Sequence, residues 1–227
     1  MRDPIAKELV VVMIGKFNPA IITPFWLSGK QLISDLEAKE ASQSSNFIAH
    51  LEVSQFSLEY CNIQTLQNKY TISSTREEYF DKIREITTGI FSYLPETPIV
   101  QIGINNVHHY RLNSAEEYKE FGDRLAPKGI WDPITKNPGL KSIEIQSHRE
   151  DGFSGEINTK VGISNLPRIE LGIRIQVNDH FNLYTTAELA EGRDINAQKS
   201  IDILERWEQS LRMSEQIISG VINHDRS

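Results

Sequence analysis

One cysteine in 227 residues, Cys61, rules out an intrachain disulfide and any zinc ribbon. A chain that folds without disulfides is expected in a reducing compartment. Long apolar runs are missing as well. The opening stretch, "MRDPIAKELVVVMIGKFNPAIITPFW", is uniformly apolar for only about six residues before Gly15, Lys16 and Asn18 interrupt it, which is too short for a signal-peptide core or a membrane-spanning helix. These two absences together predict a soluble, cytoplasmic protein with no membrane partner.

Positive charge is also scarce. With 24 Lys and Arg against 31 Asp and Glu, the net charge is -7, and a general nucleic-acid binder needs a basic surface to neutralise phosphates. Nucleic acid is therefore not the expected partner. Signature motifs of catalysis are absent too: there is no HExxH, no GxGxxG or GxxxxGK[ST], and no GxSxG. No catalytic residue, cofactor or metal ligand set is assigned, and the chain reads as non-enzymatic.

What is present is ordinary globular composition, 39% hydrophobic and 24% charged, sufficient for a sizeable core. The length allows one large domain or two small ones, and a single α+β domain over 1–227 is the expectation. "ELVVVMIG" (8–15) is apolar on both parities, as in a central strand. After Pro19 and Pro24 a short helix is expected over about 28–38, then a polar loop to 46.

Residues 47–73 read as two β-strands. Their apolar parity shifts from Phe47, Ala49, Leu51 and Val53 to Phe56, Leu58 and Tyr60, as a bulge near Ser54–Gln55 would produce. "STREEYFDKIREITTGIFSYLPETP" starts with a helix-capping pattern at Ser74 or Thr75 and carries an apolar stripe up to Leu94. "IVQIGINNVHHYRL" follows as a strand, and Ser114 opens a second capped helix.

The Asp151-Gly152 pair marks a hairpin, and the alternation of Ile169, Leu171, Ile173, Ile175 and Val177 with polar residues gives a half-buried strand. A long helix over 196–222 closes the chain. Its positions 204, 207, 211, 214, 218 and 221 form a heptad seam interrupted by Ser214, read as the side that covers a sheet. The resulting order is β-α-β-β-α-β-α-β-β-β-α. Its architecture is a mainly antiparallel sheet with helices packed on one face, helix-grip or split βαβ in style, and its two halves look alike in element order without any residue-level repeat.

Few residues stand out as a site. In "QIGINNVHHY" (101–110), His108 and His109 on one strand point to opposite faces, so they cannot share a metal. His108 belongs with Ile102 and Ile104, while His109 belongs with Gln101 and Asn105 on the more polar face. His148 and His180 sit near other strand ends, and whether they converge with His109 is not readable from the sequence. Asn105, His109 and Arg174 are the candidate ligand-binding residues. Phe25 and Trp26 in the dense apolar loop "FNPAIITPFW", and Trp207 and Leu211 on the last helix, are the candidate interface, since interface cores favour such side chains.

The segments "KFNPAIITPFWL", "LPETPIVQIGINNVHHY", "FGDRLAPKGIWD" and "IQVNDHFNL" resemble those of a sporadically distributed family of uncharacterised bacterial α+β proteins with an asparagine after Gly-Ile in a mid-chain strand. The resemblance spans about residues 10–183. It implies no catalytic residues, and the patchy distribution implies an accessory or defence-related role. The expectation is thus a bacterial protein-interaction module, a homodimer or the subunit of a complex. The alternative is a small-molecule-binding protein or enzyme with a pocket between sheet and helices.

Overall fold

A computed structural model describes residues 2–191 and 195–223. Nine strands form one antiparallel sheet: β1 (Ala6–Gly15), β2 (Ile48–Ala49), β3 (Val53–Ser57), β4 (Asn62–Leu66), β5 (Lys69–Ser74), β6 (Ile99–Arg111), β7 (Ser142–His148), β8 (Gly155–Ile163) and β9 (Gly172–Asn182). Their spatial order is β2-β3-β4-β5-β1-β6-β9-β8-β7. Apart from the two-residue β2, the order is symmetric about the β1–β6 pair. On each side a first strand at the centre is followed by a helix, a meander that returns to it, and a closing helix. The two halves expected from element order therefore meet at the middle of the sheet.

Seven α-helices are described: α1 (Pro24–Gly29), α2 (Asp35–Gln43), α3 (Phe80–Tyr93), α4 (Ala115–Leu125), α5 (Thr186–Ala190), α6 (Gln198–Glu205) and α7 (Trp207–Asn223). None is long and apolar enough to cross a membrane. The register shows which face they cover. Phe56 faces Ile63, Ile63 faces Ile72, Ile72 faces Val11, Val11 faces Ile104, and the same row continues to Asp179 and Ile157. With period-2 alternation all of these side chains lie on one side of the sheet. Ile83, Ile86, Ile90 and Phe91 of α3 pack on its first half, and Phe121 of α4 and Ile218 of α7 on its second. The α+β architecture with helices on one face is the one the patterning predicts.

Local departures have identifiable causes. The first helix is two helices: Pro24 takes the first position of α1 behind a Thr23 cap, and a Ser34/Glu37 capping box starts α2, which runs on to Gln43 through the expected loop. Residues 47–73 hold four strands rather than two. The parity shift comes from a turn over 50–52 between β2 and β3, and β3 pairs with β4 without a bulge. Ser74 stays in β5, its hydroxyl donating to Tyr60 O, so α3 begins only at Phe80 after a 3₁₀ turn.

The closing helix breaks at Arg206. This separates α6, which packs against α3, from α7, which crosses β9 and β6. The seam at 204, 207, 211, 214, 218 and 221 faces the sheet, and Ser214 is fully buried there with its hydroxyl donating to Ser210 O.

Candidate functional site: the open face of the sheet

Among the described residues no helix covers the opposite face, so its composition is set by the outward strand positions. Four cross-strand rows cross the half built from β6 to β9. One row is nearly all side-chain amide: Gln146, Asn158, Asn178 and Asn105, ending at Val10. The next reads Glu144, Lys160, Gln176, Val107, Glu8, and the one beyond it Ser142, Gly162, Arg174, His109, Ala6. On the other flank lie His148, Glu156, His180, Gly103 and Val12.

Asn105, His109 and Arg174 therefore share one face of two neighbouring strands, with Arg174 directly across from His109 and Asn105 one amide away from Gln176. Their surroundings are ordered by hydrogen bonds. Gln176 Nε2 donates to Asn105 Oδ1 at 2.7 Å, and Asn105 Nδ2 donates to Val10 O at 3.3 Å. Asn178 Oδ1 is buried without a hydrogen-bond partner among the described residues. The space it occupies exists because position 103 is glycine: a Cβ there would stand 2.8 Å from Asn178 Oδ1. A buried acceptor without a donor is costly unless something supplies one.

His109 is 3% exposed and Val107 1% although no helix lies over them. His109 is tied down by a 2.8 Å hydrogen bond between Nδ1 and Ser164 Oγ, in the turn that leads to β9. Burial, reinforced by the Arg174 guanidinium and by His108, holds its pKa below the ordinary 6.5. The imidazole is then neutral at pH 7. Because the unfolded histidine takes up its proton first, this group withdraws stability as pH falls below about 6.5, until the lowered folded value is reached. In His109→Gln the loss of stability between pH 7 and roughly pH 5 is expected to be shallower than in the native chain. Urea midpoints at the two pH values measure it, and an unchanged difference would show that His109 is not the group involved.

Among the described residues the other histidines do not gather around it into a metal centre. His148 and His180 flank Glu156 on the open face, but His108 points to the helix side. No group of three His, Cys, Asp or Glu residues able to hold a metal is found among the described residues. Cys61 is buried, and burial first, then Glu37, pushes its thiol up to about 12. It is therefore an inert thiol at neutral pH.

The interface candidates separate into two kinds. Phe25 is exposed, and Trp26 is partly buried with its ring edge-on to Tyr93. Trp207 is 1% exposed and so is not offered at a surface, while Leu211 is half-buried and packs against the same core. Trp207 is therefore placed in the core, because the helix seam that carries it faces the sheet.

Sequence reasoning missed a polar seam on the helix side. His108 Nε2 lies 3.2 Å from Glu215 Oε1, and its Nδ1 3.2 Å from the Tyr110 hydroxyl. Lys7 Nζ joins Glu215 at 3.6 Å and Glu77 at 2.7 Å. The neighbouring His108 imidazole holds the Glu215 carboxyl below its usual range in spite of burial. Further along α7, Ser210 donates to Asp179, which also pairs with Arg149. The signal was available: Asp179 occupies an inward position in the alternation Ile173, Ile175, Val177, Asp179, Phe181, where a lone carboxylate could not stay.

No protein-family model matches the chain, and no curated protein sequence does.

Proposed function

We propose that this chain is a non-enzymatic protein-interaction module whose partner lies across the open face of the sheet, over Arg174, Gln176 and Asn178. The observation that carries this reading is the uncovered face itself, with a buried, unpartnered amide oxygen at its floor. Its chemistry favours protein over nucleic acid. The strand positions on this face carry no Phe, Tyr or Trp on which bases could stack. Its charges nearly balance, with Lys69, Arg111, Lys160 and Arg174 against Glu8, Glu144 and Glu156, which is too little positive charge for a phosphate backbone. Amides that both donate and accept, beside the half-buried Val10 and Val12, suit the backbone and polar side chains of another protein. An accessory or defence-related role in a bacterial cell fits such a module.

A pocket between sheet and helices has less behind it. The cavity where that layer opens, beside Arg149, Phe153 and Arg206, measures about 230 Å³, below the roughly 300–1,000 Å³ of typical ligand sites. Its buried arginine is already paired with Asp151 and Asp179.

The test is comparative retention of proteins from native cell extract. An Asn178→Ala, Arg174→Glu variant should hold its stoichiometric partner at least about 10-fold more weakly, a loss of about 1.4 kcal/mol. Lys119→Glu, exposed on α4, should retain it fully. Equal retention by both variants would sink the open-face reading, and a bound small molecule in place of a protein would move the site to the cavity.

A further inference from the structure

The sheet ends differently on its two sides. On one side the edge is β2, only two residues long, and a short edge gives little to pair with. The other edge is β7, seven residues with the sequence Ser-Ile-Glu-Ile-Gln-Ser-His. Natural edge strands are usually blunted by proline, by a bulge or by several charges, and β7 has none of these. It contains no proline, its register with β8 runs from Ser142–Gly162 to His148–Glu156 without a shift, and its one charged side chain, Glu144, is already 3.7 Å from Lys160 Nζ.

Apolar surface gathers at the same edge. Ile145 is 53% exposed on the helix side of the sheet, where no helix reaches it. In the segment leading to β7, Ile130 is 72%, Trp131 50% and Ile134 72% exposed. Trp131, Leu140 and Ile143 line a groove of about 380 Å³ that runs alongside the start of the strand. An unpaired strand flanked by an apolar groove is the arrangement that accepts an added strand.

We propose that the added strand is β7 of a second copy of this chain, paired antiparallel about a two-fold axis that brings Gln146 opposite Gln146. The strand is complementary to itself in this register. Glu144 of each copy falls opposite His148 of the other, no like charges meet, and the two Ile145 side chains become diagonal neighbours, within reach across a strand pair. On the open face the amide row Asn105, Asn178, Asn158, Gln146 continues without interruption into the same row of the second copy. The contact is isologous and therefore closes as a dimer rather than growing into a fibre. A different protein added at this edge would need to match Glu144 and His148 by coincidence, whereas a second copy matches them by symmetry.

Sedimentation equilibrium of the full chain should give twice the chain mass at concentrations up to roughly 100 μM. Ile145→Lys and Trp131→Ser should each weaken association, the first by about 100-fold, with the far-ultraviolet circular dichroism unchanged. Gln146→Cys, oxidised, should form a covalent dimer, while Glu52→Cys beside the short edge should not. Cys61 is too deeply buried to confuse the result. A chain that stays monomeric over that range overturns the proposal, as does a dimer that survives both substitutions. Loss of the dimer in Ile145→Lys without a Gln146→Cys cross-link overturns the antiparallel register.

Discussion

Replacing Asp179 with alanine is expected to destabilise the fold by about 3 kcal/mol, the lower end of the range for breaking a buried ion pair. The Asp179 and Arg149 side chains are 2% and 3% exposed, and Arg149 also lies 3.7 Å over the Phe181 ring. Asp179 is held on its other side by the Ser210 hydroxyl of α7. Its loss would leave a guanidinium under the helix layer with only Asp151 to balance it, and would free Ser210 of its acceptor.

Burial works against the charge on Arg149, yet Asp151 and Asp179 outweigh it and raise its pKa, so the arginine does not escape the cost by deprotonating. At about 2–4 °C per kcal/mol for a chain of this size, the thermal midpoint should fall by roughly 6–12 °C. An Arg149→Met, Asp179→Leu double variant, which removes both charges and keeps the volume, should recover most of that loss. Thermal unfolding of the three proteins decides it. If the double variant is as unstable as Asp179→Ala, the cost lies in packing at β9 and not in the unpaired charge.

That ion pair also marks where sequence reading stops. Alternation in β9 from Ile173 onward, the Asp-Gly hairpin and the Ser114 cap are local signals, each decided by neighbours within a few residues, and the fold reproduces them, whereas Ile169 and Leu171 fall in the turn before β9, Leu171 with φ 56°; Gly152 has φ 81°, and the Ser114 hydroxyl accepts from Glu117 N at 3.1 Å. Arg149 and Asp179 are thirty residues apart, and only the register of β7, β8 and β9 brings them together. The same is true of the open face. Parity alone put Asn105 and His109 on one side of β6, but that Arg174 faces His109 and that Asn178 lies unpartnered beside Gly103 depends on the β6–β9 pairing.

The parity slip at residues 54–55 shows the opposite failure. One strand with a bulge and two strands with a turn produce the same alternation, and only the hydrogen-bond partners distinguish them. Likewise, a seam of Leu204, Trp207, Leu211 and Ile218 has the same spacing whether it meets a partner helix or the chain's own sheet. The interrupting Ser214 was the informative residue. It is fully buried with its hydroxyl turned back onto Ser210 O, at a position where a partner-facing coiled coil would have wanted an apolar side chain.

Trp207→Ala should therefore behave as a core truncation. Trp207 is among the largest fully buried side chains, packed where α6 gives way to α7, with Arg84 of α3 5.7 Å from its ring. Deleting a buried aromatic costs about 3–5 kcal/mol in transfer and cavity terms. Because α7 holds Ser210 against Asp179 and Glu215 against His108, loosening its first turn should also expose the polar seam. The expected result is a drop in urea midpoint with the slope nearly unchanged and no change in the oligomeric state of the protein that remains folded. Trp207→Phe, which keeps most of the apolar volume, should lose less than half as much. If instead Trp207→Ala kept its stability and lost self-association, the tryptophan would be an interface anchor after all, and α7 would have to turn its seam away from the sheet to present it.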